Sequence, residues 1–170
     1  MYRNTFLSVM FLACCFNGSL CAQSDAQIYE RTCDAKTYPF SDPSPVATPN
    51  NSYYPYFRFD GFSMQAQEKQ WKMVVLENDY VKLTVTPEIG GKIWGAIDKV
   101  NNKEFVYTNG VVKFRDVAMR GPWTSGGIEF NFGIIGHAPT CSTPIDYLTK
   151  KNVDGSVSCH IFSYEWITRT

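Results

Sequence analysis

The sequence carries no excess of charge of either sign, with 16 Lys and Arg against 16 Asp and Glu in 170 residues. Without a long-range field, a nucleic acid or an anionic bilayer is a poor partner for it. Histidine is scarce at two copies, and these do not stand at metal-ligand spacing. A glycine-rich phosphate loop and a nucleophile elbow are both missing, so nucleotide, esterase and zinc-peptidase chemistry lack their parts, and neither metal nor cofactor is expected. No cysteine pair has the close spacing of a zinc knuckle or a redox motif. The longest apolar run, "FLSVMFLACCF", is too short to span a bilayer, so no transmembrane segment is expected. A helical period is absent throughout.

What remains is a chain rich in core and strand formers, 44% hydrophobic and 15% aromatic, which is enough for one domain with its own core. Its start reads as an export signal over residues 1–22, with Arg3 ahead of the apolar run and Ala22 before a polar mature start. A lipid anchor at Cys14, in "FLAC", is the competing reading. Export leaves Cys33, Cys141 and Cys159 in an oxidising compartment, where three thiols form at most one bridge among themselves. Residues 23–52 read as an arm whose later part is proline-rich, because each proline removes a backbone donor and pushes its predecessor toward extended structure.

The folded domain is expected over residues 53–170 and to be all-β, an antiparallel sandwich or barrel. "YVKLTV" alternates Val81, Leu83 and Val85 with polar residues, as a half-buried strand does. "TPEIGG" punctuates it as a turn, and "KIWGAI", "EFVYT", "VVKF", "GIEFNF" and "VSCHIFSYEWI" continue the rhythm. The last of these alternates almost to Thr170 with no turn to close it. The chain is therefore read as the N-terminal part of a larger sandwich.

Chemistry concentrates in "RGPWTSGGIEFNFGIIGHAPT", residues 120–140. As a strand, "GIEFNF" would send Ile128, Phe130 and Phe132 into the core and leave Glu129 and Asn131 on the other face, about 7 Å apart. A carboxylate beside a carboxamide suits sugar hydroxyls. Trp123 could stack on a pyranose, Gly126 and Gly127 permit close backbone approach, and Arg120 could contact substrate. His137 stands in a loop between glycine and proline, a frequent position for functional side chains. Each also has a plain structural use: a solvated strand face, a core tryptophan, an ordinary loop histidine.

The runs "YPYFRFDGF", "VLENDYVKLTVTPEIGGKIWGAIDKVNNKEFVYTN", "RGPWTSGGIEFNFGIIGH" and "PIDYLT" resemble the N-terminal portion of the DUF5107 family, which is grouped with galactose mutarotase-like proteins. The resemblance covers about Tyr53 to Lys150. It implies an antiparallel β-supersandwich with a carbohydrate cleft on one sheet. It also implies a histidine acid, here matched by His137, and a general-base glutamate late in the chain that has no counterpart in these 170 residues. The readings carried forward are an exported carbohydrate-active protein with His137 and Glu129 as reacting groups, a non-catalytic carbohydrate-recognition module, and an inactive fragment.

Overall fold

The computed structural model describes residues 26–41, 61–116, 122–131, 136–137 and 139–164. The expected signal at 1–22, most of the proline-rich stretch, Arg120, Phe132 and the last residues of the closing strand lie outside them. The described residues are nearly all β, as the composition and turn spacing imply, with 3-10 turns at Pro87–Ile89 and Pro139–Cys141. No helix among them is long and apolar enough to cross a membrane.

Among the described residues nine strands form two layers: β1 Gln27–Tyr38, β2 Gln67–Glu77, β3 Val81–Thr86, β4 Lys92–Asp98, β5 Lys103–Val106, β6 Val112–Asp116, β7 Pro122–Thr124, β8 Asp146–Lys151 and β9 Val157–Phe162. The first seven make one sheet in the order β5-β4-β3-β2-β1-β6-β7, and β8–β9 is a separate hairpin. The hairpin packs over β1 and β2, where Tyr147 Oη donates to Glu30 at 2.6 Å. Neighbouring strands run antiparallel except at β1–β6, a short parallel pairing of Thr37 with Val112 and Tyr38 with Lys113. The sheet is therefore mixed, not purely antiparallel.

The strand β1 corrects the expected boundaries. It lies inside the stretch read as an arm, yet it is an internal strand, paired with β2 from Gln27↔Glu77 to Thr37↔Gln67. Its sequence hides this because most of its residues are exposed. The ladder with β2 makes it a strand, not an apolar alternation of its own. Tertiary pairing overrides local propensity readily in sheets.

In β2 the chain is covered on both sides: Trp71, Met73, Val74 and Val75 are all buried. Trp71 and Met73 join Ile89, Trp94, Val112 and Phe114 in the core. Trp94 reaches it through a register shift in which Thr84 faces Gly95 and Val85 faces Ile93, leaving Trp94 as the extra residue of a bulge. Glu88, in the 3-10 turn, accepts the Lys72 backbone N–H at 2.6 Å. That donor lies beyond the β2–β3 ladder, which stops at Val74↔Val85.

Trp71 brings a polar handle into this core. Its Nε1–H donates to Thr37 Oγ1 at 2.9 Å, and the hydroxyl in turn donates to the Ala35 carbonyl at 2.9 Å. Thr37 is itself buried. Replacing it by valine strands the indole N–H in an apolar surrounding. Thr37→Val is expected to lower stability in urea unfolding by about 1–3 kcal/mol, and Thr37→Ser, which keeps the hydroxyl, by less.

Candidate functional site

The site forms where β4 starts, β7 ends and the chain beyond β7 returns across them. Gly90 and Gly91, at φ 63° and 66°, turn the chain from the 3-10 turn into β4, whose first residue is Lys92. The lysine is 2% exposed. Its ammonium donates to the Thr124 carbonyl at 2.7 Å and to Thr124 Oγ1 at 3.0 Å, which joins β4 to β7. The charge also lies 6.0 Å from the centre of the Trp123 ring. Burial lowers the Lys92 pKa, and the charges of Glu129 and Cys141 act against that shift.

The double glycine has a backbone reason. At Gly127, φ is 70°, and a β-carbon would collide with the Ile93 carbonyl and press on the Lys92 stem. Glycine alone fits, so Ile93 and Ile128 can exchange N–H···O bonds of 3.1 and 2.8 Å. Gly126 likewise has positive φ, at 83°. Both residues shape the wall without needing a ligand beside them.

Beyond this point the structure overturns the expected strand at 127–132 over its described part, residues 127–131. Ile128 makes an isolated bridge with Ile93, and residues 129–131 belong to no strand. The expected facing fails at three of the residues: Ile128 and Phe130 are each 43% exposed, and the Glu129 side chain is 12% exposed, whereas Asn131 is exposed as expected. With a single bridge instead of a ladder, no period of two is enforced, and the carboxylate turns in toward the buried ammonium.

Glu129 and His137 meet there. His137 Nδ1 lies 2.8 Å from Glu129 Oε1. The approach is short but lacks the alignment of a hydrogen bond, and both carboxylate oxygens are buried without an accepted hydrogen bond among the described residues. The His137 backbone, at φ 52°, donates to Asn131 Oδ1 at 2.5 Å. Its ring stands edge-on to Trp123, with centroids 6.4 Å apart, and the side chain is 46% exposed. The Cys141 thiol donates to the Phe130 carbonyl at 3.3 Å.

Trp123, Gly126, Gly127, Glu129, Asn131 and His137 therefore lie together, while Arg120 falls outside the described residues. Lys92, Thr124 and Cys141 complete the cluster, and sequence reasoning missed all three. The "GGKIW" run offered a signal, a lysine directly between a glycine turn and an apolar strand. Arg115, across from Trp123 in the β6–β7 ladder, is engaged elsewhere by the carbonyls of Phe114 and Ser63. The three cysteines among the described residues form no disulfide with one another.

Chemically, the cluster offers a buried carboxylate with open acceptor sites, a half-exposed imidazole that can give or take a proton, an aromatic edge and a fixed cation. Against known proteins, the profile of DUF5107, a domain of unknown function, matches residues 48–170. A TPR-domain containing protein from Parabacteroides distasonis has a similar solved structure, 28% identical over 78% of this chain with a TM-score of 0.69. The match spans 23% of that longer chain.

Two outcomes test the local structure. Because the folded state lowers the Lys92 pKa, the unfolded chain holds more protons in the interval from that lowered value up to 10.5. Stability from this group is reduced at neutral pH and recovers as pH rises through the interval. Urea unfolding at a series of pH values should therefore show the wild type gaining on Lys92→Met as the solution becomes alkaline. Gly127→Ala is expected to cost about 1–3 kcal/mol in the same assay, from strained φ and lost room beside Ile93.

Proposed function

The chain belongs to the DUF5107 family, and from its own side chains we propose that it is an exported carbohydrate-binding or carbohydrate-active protein with a galactose mutarotase-like fold. It takes a sugar or oligosaccharide near its anomeric centre. The observation that carries this reading is the Glu129 carboxylate, buried yet without a hydrogen-bond donor on either oxygen among the described residues. Such an acceptor is costly to leave unfilled, and a ligand rich in hydroxyl donors fills it. His137, half-exposed beside it, is positioned to exchange a proton with a ring oxygen or an anomeric hydroxyl, and Trp123 offers an apolar edge for the C–H face of the ring.

Two carboxylates set across a cleft would favour glycoside hydrolysis. Here the paired groups are a carboxylate and an imidazole in direct contact, which suits proton transfer at one centre or recognition without turnover. The second reading is a binding module of the same fold. Export rests on the arginine and apolar run of residues 1–22, and a lipid anchor at Cys14 is its variant.

Titration calorimetry of the full chain against mono- and oligosaccharides tests the proposal. One sugar class should bind, and Glu129→Gln should weaken it about tenfold or more, the size of a lost charge-assisted hydrogen bond. Undiminished affinity in Glu129→Gln would overturn the role of this carboxylate. Incubation of the bound sugar with the wild type, followed by NMR of its anomeric protons, separates an enzyme from a recognition module.

A further inference from the structure

Next to the polar cluster, on the sheet face beneath the β8–β9 hairpin, lies a cavity of about 630 Å³. Leu83 and Val85 of β3 and Ile93 of β4 line one side of it, with Ile145 and Ile161 on the other. Among the described residues no charged side chain lines it, and Asn131, Thr140, Cys159 and Ser163 are its polar or weakly polar members. The Cys159 thiol is pushed up by burial, as expected for a group in apolar surroundings. A volume of this size is within the range of small-molecule sites. An apolar lining gives water few partners, so an apolar group is the better occupant.

Its position connects it to the chemistry. Phe130 and Asn131 line the cavity and follow Glu129 directly in the chain. Asn131 Oδ1 also holds the His137 backbone N–H. One residue thus belongs both to the cavity wall and to the support of the imidazole. A ligand reaching from one region to the other would be polar at the Glu129–His137 end and apolar at the other, and the uncharged lining gives no counter-charge for an ionic tail.

We infer that the cavity takes the uncharged apolar substituent of a glycoside, an alkyl or aryl group, while the sugar ring of the same molecule sits at Glu129 and His137. The inference rests on the carbohydrate reading of that pair and adds the substrate class, a glycoside with an apolar aglycone instead of a free sugar. Binding then draws on two separate contributions: hydroxyl donors for the buried carboxylate, and apolar area removed from water.

Calorimetry with matched probes tests it: methyl and octyl glycosides of glucose and galactose, below the micelle concentration, and octanol alone. For the sugar that binds, the octyl glycoside should be about tenfold or more tighter than the methyl glycoside. Leu83→Phe, which narrows the cavity from β3, should pull the octyl-to-methyl ratio toward one, and Ile161→Phe gives the same reading from the hairpin side should Leu83→Phe fail to fold. Equal affinity of methyl and octyl glycosides would overturn the inference and leave the carbohydrate reading standing. Octanol binding as tightly as the octyl glycoside, or no binding by any probe, would overturn the carbohydrate reading and this inference with it.

Discussion

An ammonium group held out of water determines how this end of the sheet is built. Lys92 cannot be left unpartnered at 2% exposure, and Thr124 meets it with both a carbonyl and a hydroxyl. That requirement brings the end of β7 against the start of β4. It also leaves room for no side chain at residue 127, whose place is filled by the lysine stem and the Ile93 carbonyl. Once Gly127 is seated, Ile128 bonds to Ile93, and the next residue carries its carboxylate inward. The site is in this sense a consequence of one buried cation, and the acid that follows is its electrostatic complement.

The same logic explains why the polar groups here are so unevenly satisfied. Thr124 fully occupies two of the donors on Lys92, and Asn131 holds the His137 backbone. Glu129 is an exception, close to an imidazole but with no aligned donor, and the buried Ser142 hydroxyl beside Cys141 is another. Native interiors rarely leave a carboxylate in that condition unless something else comes to fill it. The surrounding backbone is held in left-handed geometry at Gly126, Gly127 and His137. Positive φ at a non-glycine residue is uncommon, and at this site it falls on His137.

Much of this was legible in the sequence, and the failures have physical causes. The strand β3 announces itself because Val81, Leu83 and Val85 alternate with polar residues, and β4 because it returns from a proline and double-glycine turn. By contrast β1 is mostly exposed, and β2 is buried on both faces around Met73 to Val75, so neither shows a period of two. Trp123, Glu129, Asn131 and His137 could be found because they lie in one short run. Lys92 and Thr124 are 32 residues apart, and no local pattern reveals such a pairing. The inversion of Glu129 with Ile128 and Phe130 was hidden for a different reason: alternation predicts faces only where a ladder enforces it, and one bridge does not.

The place of β1 within the sheet bears on how the chain reaches this state. Hydrogen bonded to β2 on one side and, through a short parallel contact, to β6 on the other, it is the piece that joins β5-β4-β3-β2 to β6-β7. The sheet cannot close until three stretches far apart in the chain, around residues 37, 67 and 112, have found one another. Such non-local pairings carry a large entropy of loop closure before any contact rewards it, and folding over milliseconds to seconds is the general expectation for sheets of this kind. During synthesis the earliest strand to emerge would wait for partners made later, with its backbone donors and acceptors open to other chains. The mostly polar and charged side chains of β1, which conceal it as a strand, are what keep that waiting segment soluble.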